Sequence, residues 1–277
     1  MTIDLTSSKD KDKNEGQSRR ILVVDDDLKI AQFVMANLQA HGYEVSKAAD
    51  GEEAMVKAQE GPPDLMLLDL SLPKIEGLEV LRRLRPQSAF PIIILSALDD
   101  EASKIEALDL GADDYLTKPF GIGELLARLR VAFRRLENGL GAGFIHHSQT
   151  AMPNLDQPAK GTFSSLVEGL DATGRYFRAG AIEIDLEGRI VTVKGKEVAL
   201  TPTEFGLLHF LVSNAGKILT HRQLLQKVWG PEYGGETEYL RTYVKQLRRK
   251  LEPDAARPIY LLTVPSTGYR FRLSGKD

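Results

Sequence analysis

Residues 64–85 read DLMLLDLSLPKIEGLEVLRRLR. The stretch opens on a short, unbroken apolar run that ends in an acid, Asp69, then crosses a polar turn and passes into a helix around 77–84. Such a run, bounded by turn signals, reads as a strand buried on both faces. The same unit recurs on either side of it. ILVV at 21–24 precedes a helix around 28–41, and YEVSKA at 43–48 precedes a helix that starts at Gly51. PIIIL at 91–95 precedes a helix around 101–110, and DDYLT at 113–117 precedes a helix at 121–136. Five strands alternating with five helices predict an α/β fold, a five-stranded doubly wound parallel sheet, because parallel strands need helical crossovers that cover both faces. In such sheets the reactive site lies at the carboxyl ends of the strands.

The remaining sequence bounds the class of protein. The 277 residues are 42% hydrophobic and 27% charged, an ordinary composition for a soluble chain of about two domains. No apolar run approaches the roughly 18 residues that span a bilayer, and the opening MTIDLTSSKDKDKNEGQSRR is too polar for a signal peptide, so the chain reads as cytoplasmic. With no cysteine there is no disulfide framework, thiol nucleophile or Cys-ligated zinc, in keeping with a reducing compartment. The formal net charge of −3 argues against nucleic acid only as a whole-chain sum. Residues 181–277 hold 15 Lys+Arg against 11 Asp+Glu, and residues 1–180 hold 21 against 28, so an acidic half precedes a basic one.

Residues 1–19 are too polar to offset ordering entropy and read as a disordered tail. The first domain is expected over 20–136. A Gly/Ser/Pro/Asn-rich linker follows over 137–179, and a second domain over 180–275. In the latter, AIEIDLEGRIVTVKGKEVAL at 181–200 predicts a small antiparallel sheet, with helices near 203–214, 221–229 and 236–251. YLLTV and YRFRL around a turn at Pro265 to Gly268 close the chain as a hairpin.

Asp25, Asp26 and Asp27 follow the first strand, Asp69 ends the third, Ser96 ends the fourth, and Lys118 follows the fifth. A doubly wound sheet brings these to one rim. Three Asp in a row also fit a solvated turn; the joint spacing favours a site. A carboxylate cluster is costly without a cation, and an all-oxygen site of few ligands suits Mg²⁺. The assembly is equipped for phosphoryl transfer to a carboxylate, with Lys118 neutralising developing charge and Ser96 bonding the phosphoryl group. Asp27 reads as a helix N-cap rather than a ligand.

ILVVDDD, DLMLLDLSLPKIEGLEVLRRLR, PIIILSA and LGADDYLTKPF stand in the order and spacing of the receiver domain of two-component response regulators, which residues 20–136 resemble. The resemblance implies that Asp69 is the phosphoacceptor, that Asp25, Asp26, Asp69 and the Ser71 carbonyl hold Mg²⁺, and that Lys118 pairs with the phosphoryl group. Ser96 is then the hydroxyl that follows it and Tyr115 an aromatic rotamer switch, although Tyr115 equally reads as a half-buried core ring. Relatives of this type dimerise through the fourth helix, fifth strand and fifth helix. The matching positions are Lys104 with Glu124, Asp109 with Arg130, and Asp113 or Asp114 with Arg128 or Arg135, around Leu108 and Leu126. Ordinary i,i+4 surface charges fit any one pair. Exposed pairs set register and partner choice more than affinity.

EYLRTYVKQLRRKL at 238–251 places Leu240, Val244, Leu247 and Leu251 on one face and Arg241, Thr242, Lys245, Arg248 and Arg249 opposite. By charge alone this fits a solvated helix as well as one entering the DNA major groove. VALTPTEFGLLHFLVSNAGKILTHRQLLQKVWG, YLRTYVKQLRRKLEPD and TGYRF resemble the winged helix-turn-helix effector domain of the OmpR/PhoB family. Within it, YLRTYVKQLRRKLEPDAARPIYLLTVPSTGYRF at 239–271 most resembles the KdpE type, regulators of potassium-uptake operons. The resemblance implies a KdpD-like sensor histidine kinase, a homodimer on direct-repeat operator DNA, and RNA polymerase as partners. Arg241 and Lys245 are then candidates for reading bases; Thr242, Arg248 and Arg249, with Thr220, His221 and Arg222, for phosphates. Thr267, Tyr269 and Arg270 belong to the wing, with Tyr269 equally a core ring. Trp229 and the loop to Gly235 take the place of the polymerase contact, or Trp229 anchors the core. Pro265-Ser266 stands where many relatives carry a wing arginine, and the linker is longer than usual.

Two rivals remain. Asp25-x-Asp27 superficially fits an aspartyl phosphohydrolase, which usually carries a hydroxyl residue where Lys29 stands. The other keeps the DNA binder but makes the first domain a phosphate-independent dimerisation module.

Overall fold

The computed structural model describes residues 18–98, 101–137, 168–231 and 233–273. The first half runs β1 (Arg20–Val24), α1 (Leu28–Ala40), β2 (Glu44–Ala48), α2 (Gly51–Glu60), β3 (Leu65–Asp69), α3 (Gly77–Leu84), β4 (Ile92–Ser96), α4 (Glu101–Asp109), β5 (Asp114–Thr117) and α5 (Ile122–Glu137). All pairings are parallel, in the order β2-β1-β3-β4-β5. Side chains alternate across a strand, so each central strand feeds two cores. Ile21, Val23, Leu65, Leu67, Ile93 and Leu95 pack with α1 and α5. Leu22, Val24, Met66, Leu68, Ile92 and Ile94 pack on the other side with α2, α3 and α4. Burial on both faces is why these strands read as continuous apolar runs rather than alternating ones.

The second half contains β6 (Gly169–Leu170), β7 (Tyr176–Ala179), β8 (Ile182–Asp185), β9 (Ile190–Val193), β10 (Lys196–Glu197), α6 (Pro202–Ser213), β11 (Leu219–Thr220), α7 (His221–Val228), α8 (Thr237–Leu251), β12 (Leu261–Val264) and β13 (Gly268–Phe271). β10-β9-β8-β7-β6 form an antiparallel sheet, and β11-β13-β12 form the wing sheet. Two capping boxes set the helix starts. Thr201 and Glu204 close α6 behind Pro202, and Thr220 and Gln223 close α7.

Two expectations change here. Gly169–Ala179, read as linker, supplies β6 and β7, because Asp171 accepts from the backbone of Arg175 and Tyr176 and folds the segment into a turn at Gly174. Ser18 and Arg19, read as tail, bond the end of the first sheet through Ser18 Oγ to the Gly42 carbonyl and the Arg19 carbonyl to Glu44 N. The rest of the tail, 1–17, and linker residues 138–167 lie outside the described residues. The α2/α3/α4 core extends beyond the first sheet: Ala107 and Leu108 of α4 belong to one cluster with Leu240, Tyr243, Val244 and Leu247 of α8. No helix among the described residues is long and apolar enough to cross a membrane.

Candidate functional site

Four strand ends build the first site. Asp25 follows β1, Asp69 and Ser96 are the last residues of β3 and β4, and Lys118 follows β5. Register sets them level: Asp69 pairs with Leu95, and Ser96 with Thr117. Lys118 N donates to the Ser96 carbonyl at 2.7 Å, which holds the lysine over the rim. Its ammonium lies 2.6 Å from Asp69 Oδ2 and 2.8 Å from Asp25 Oδ2. Asp25 and Ser96 are fully buried and Asp69 is 6% exposed, whereas Asp26 faces solvent. Ser71 N donates to Asp69 Oδ1 at 3.2 Å, and Asp27 N donates to Asp25 Oδ1 at 2.9 Å. Gly77 opens α3 directly against the strand end: a Cβ there would sit 2.2 Å from the Asp69 carbonyl oxygen.

The electrostatics call for a cation. Burial pushes the Asp25 carboxyl above its ordinary pKa even though Lys118 pulls it down. Burial alone would lower Lys118, but its bonds to Asp25 and Asp69 outweigh that and raise it. One ammonium thus pairs with two carboxylates of a cluster of three, and Asp25, Asp26 and Asp69 each offer an oxygen within 4.8 Å of the others. An all-oxygen set with one exposed member fits Mg²⁺, which keeps several waters. Asp27 accepts from Lys29 N and Ile30 N as the N-cap of α1. Both bonds go to Asp27 Oδ1, in keeping with its reading as a helix cap. Tyr115 is buried, and its hydroxyl donates to the Leu98 carbonyl at 2.7 Å in the loop after Ser96.

The second site gathers α8, the start of α7 and the wing. β11 pairs with β13, placing Thr220 beside Gly268 and Leu219 beside Tyr269, and the His221 ring meets Tyr269 edge-on at 5.6 Å. Arg241, Lys245 and Arg249 are exposed on α8, as is Arg222 on α7; of these, Arg241 pairs with Glu238 on its own helix and Lys245 lies 2.6 Å from Asp109. Other candidates are engaged internally. Arg248 binds the Leu261 carbonyl at 2.8 Å and Thr263 Oγ1 at 2.7 Å, clamping α8 to β12, because its long side chain lies along the sheet rather than away from it. Thr220 is spent capping α7. Thr242 is 5% exposed and Tyr269 5%, so the polar face of α8 is narrower than its periodicity indicates and Tyr269 is a core ring. Thr267 is exposed and Arg270 half-buried on the wing. Trp229 is fully buried, its ring centroid 5.1 Å from that of Tyr243.

In the single chain, most positions read as a dimer face find partners within the chain. Asp109 binds Lys245 at 2.6 Å rather than Arg130, which is exposed. Asp113 binds Arg85 and accepts from Thr203 Oγ1 at 2.8 Å. Asp114 binds Arg128 at 2.9 Å and accepts from Tyr233 OH at 2.7 Å. Arg128 also reaches Glu124, one turn away, and Lys104 lies 5.8 Å from the Tyr115 ring centroid rather than against Glu124. Arg135 donates to the Val228 carbonyl at 2.6 Å and to Thr203 Oγ1 at 2.9 Å. Leu108 sits in the core shared with α8, and Leu126 in the core under α1 and α5. Sequence reasoning missed the residues that meet this face: Thr203, Tyr233, Tyr239, Tyr243 and Gln246. A weak signal existed, since Tyr239, Tyr243 and Gln246 recur at i, i+4 and i+7 as a second stripe on α8.

Comparison with known proteins finds one family in each half of the chain. Residues 21–130 match the family described as response regulator receiver domain, and residues 195–271 the family described as transcriptional regulatory protein, C terminal. The chain is 44% identical over 251 residues to the transcriptional regulatory protein KdpE of Mycobacterium tuberculosis, covering 91% of this chain and 98% of that protein. It is also 44% identical over 253 residues to the KDP operon transcriptional regulatory protein KdpE of Escherichia coli, covering 91% and 99%. Among solved structures, a RitR mutant superposes with a TM-score of 0.67 at 26% identity, covering 93% of this chain and all of that one.

Proposed function

The chain belongs to the two-component response regulators that join a receiver to an OmpR/PhoB-type DNA-binding domain, and on that premise we propose that phosphoryl transfer from a sensor histidine kinase to Asp69 gates its binding, as a dimer, to direct-repeat operator DNA. The observation that carries this reading is the Lys118 ammonium bridging Asp69 and Asp25 at the rim of the parallel sheet. Asp69 presents a carboxylate oxygen as nucleophile; the P–N bond of a phosphohistidine breaks as the P–O bond to Asp69 forms, and the imidazole leaves. Lys118 stays charged throughout the physiological range, its pKa being raised, and follows the transferred oxygens. Ser96, one residue beyond Asp69's register partner Leu95 on the neighbouring strand, offers its hydroxyl to the phosphoryl group. Asp25, Asp26, Asp69 and the Ser71 carbonyl would hold Mg²⁺, which neutralises charge on those oxygens when bound. The regulated genes are those of a potassium-uptake operon and the kinase is KdpD-like, by kinship with the two KdpE relatives.

On DNA, α8 is the recognition helix, with Arg241 and Lys245 reading bases and Arg249 and Arg222 meeting phosphates. The loop from Trp229 to Gly235 meets RNA polymerase. The test is labelling with acetyl phosphate and Mg²⁺: one acid-labile phosphoryl group per chain is expected on Asp69 and none on Asp69→Asn. Retained labelling, or continuous release of phosphate from monoesters, overturns the reading.

A further inference from the structure

The turn that leaves Asp69 is fastened to the start of α2 by contacts separate from those of the carboxylate rim. Lys74, in this turn, has a φ of +65°, in the left-handed region that a residue with a side chain occupies only when its surroundings hold it there. Its ammonium lies 2.7 Å from Asp50 Oδ2 and 3.4 Å from Glu52 Oε2. Asp50 is a fixed anchor, its side chain only 14% exposed. As the N-cap of α2 it accepts from Glu53 N at 2.9 Å, and the Glu53 carboxylate in turn accepts from Ala49 N at 2.8 Å. Next to Lys74, Ile75 packs on Gly51 so closely that a Cβ on Gly51 would sit 2.3 Å from the Ile75 carbonyl oxygen. The end of β2 holds Asp25 as well, since the Ala48 carbonyl accepts from Asp25 N at 3.2 Å. Residues 48–52 thus bracket two segments of the site, the backbone of Asp25 and the turn that carries Ser71. Within that turn Leu72 N and Gly77 N both donate to the Leu70 carbonyl, at 3.1 and 2.9 Å. Ser71 is exposed, so its backbone is placed by its neighbours: by the buried Leu72, and by Lys74 and Ile75 through their hold on α2.

On the reading of Asp25, Asp26, Asp69 and the Ser71 carbonyl as a Mg²⁺ site, we propose that Lys74 is a positioning residue for that metal. Its ion pair with Asp50 holds the turn in the shape that presents Ser71, and so sets Mg²⁺ affinity without touching the ion. The Lys74 side chain is 55% exposed, and an ion pair of that kind adds little to global stability. Its effect falls instead on the short piece of backbone it fixes, which here carries a ligand. Charge alone gives the opposite sign. An ammonium in the turn after Asp69 repels a dication at the rim, so by charge alone its removal tightens Mg²⁺ binding. A lost tether frees the turn and weakens binding. The two roles therefore move one constant in opposite directions.

Isothermal calorimetry of Mg²⁺ binding to the unphosphorylated full chain measures that direction. Lys74→Met and Asp50→Asn should each weaken Mg²⁺ binding about fivefold, less than the roughly tenfold or more typical of groups bonded directly to a metal ligand. Asparagine caps a helix as well as aspartate does, so Asp50→Asn keeps the start of α2 and removes the pair. The double variant should bind no more weakly than either single one, because both break one contact; on charge alone the two changes would cancel to the parent value. Lys74→Arg, which keeps the charge and the reach, should restore most of the affinity. Acetyl phosphate labelling of Lys74→Met should be slow at limiting Mg²⁺ and approach the parent rate at saturating Mg²⁺, and its urea midpoint without Mg²⁺ should match the parent's. Tighter or unchanged Mg²⁺ binding by Lys74→Met overturns the proposal. So does slow labelling that saturating Mg²⁺ fails to restore, or a Lys74→Met chain already partly unfolded without Mg²⁺. A parent that binds no Mg²⁺, or whose binding Asp26→Asn leaves unchanged, overturns the metal-site reading itself, and the tether falls with it.

Discussion

Lys118 Nζ lies 2.6 Å from Asp69 Oδ2, and it is the ammonium that keeps Asp69 and the buried Asp25 from facing each other uncompensated. Replacing it, as in Lys118→Met, strands two carboxylates in a largely desolvated rim. A loss on the order of 3 kcal/mol in folding stability is expected, with millimolar Mg²⁺ restoring part of it because a cation takes over the neutralising role. Urea unfolding with and without Mg²⁺ checks this. A variant as stable as the parent, and indifferent to Mg²⁺, would contradict it.

Gly77 has the opposite logic, since its lack of a side chain is its function. A Cβ would meet the Asp69 carbonyl oxygen at 2.2 Å and Leu70 Cα at 2.6 Å, both backbone atoms that cannot swing aside. Gly77→Ala should cost about 1–3 kcal/mol and slow acetyl phosphate labelling by displacing Asp69. At Gly206, within α6, an added methyl group would meet nothing within 4 Å, so Gly206→Ala should gain roughly 0.5–1 kcal/mol. Equal effects at the two positions would refute the packing argument.

The basic residues of α8 divide by what they touch. Arg241→Ala should relax specificity at one base position in footprinting, and Arg249→Ala should weaken binding to all sequences and reduce the salt slope by about one. Arg248→Ala should instead lower the melting temperature of the DNA-binding half, because its guanidinium clamps α8 to Leu261 and Thr263. A change in salt slope with unchanged melting for Arg248→Ala would place that side chain on DNA after all.

His209 supplies a pH dependence. Burial, with repulsion from Lys227 and Arg189, lowers its pKa below the usual 6.5. The folded state therefore prefers the neutral ring. The stability this gives is present above the unfolded value and is lost as pH falls through the folded one. Between about pH 7.5 and 5.5 the parent should lose more stability than His209→Gln. Parallel curves for the two proteins would show that the ring does not titrate as described.

Much of the first half was legible from local pattern. ILVV, LMLL and PIIIL are buried on both faces, and a strand with two apolar faces announces itself without alternation. Asp25, Asp69, Ser96 and Lys118 were legible as a group because the carboxyl ends of parallel strands share one rim, so topology alone converts their spacing into proximity. Asp27 was legible as a cap for the same local reason. The strands β6 and β7 were not, since Gly169, Gly174 and Gly180 punctuate them into what reads as linker and their pairing partner lies downstream.

By itself, then, the sequence determined the two folds, the acidic rim with its lysine, and a helix carrying Arg241, Lys245 and Arg249, because these depend on periodicity and on where strands end. Which charges are free was decided only by the tertiary structure. Asp109, Asp113, Asp114 and Arg135 look like surface charges in sequence, yet they are answered by Lys245, Thr203, Tyr233 and the Val228 carbonyl, tens of residues away. A side chain's charge is local, whereas its partner and its exposure depend on how the two halves pack, and no pattern within either half encodes that.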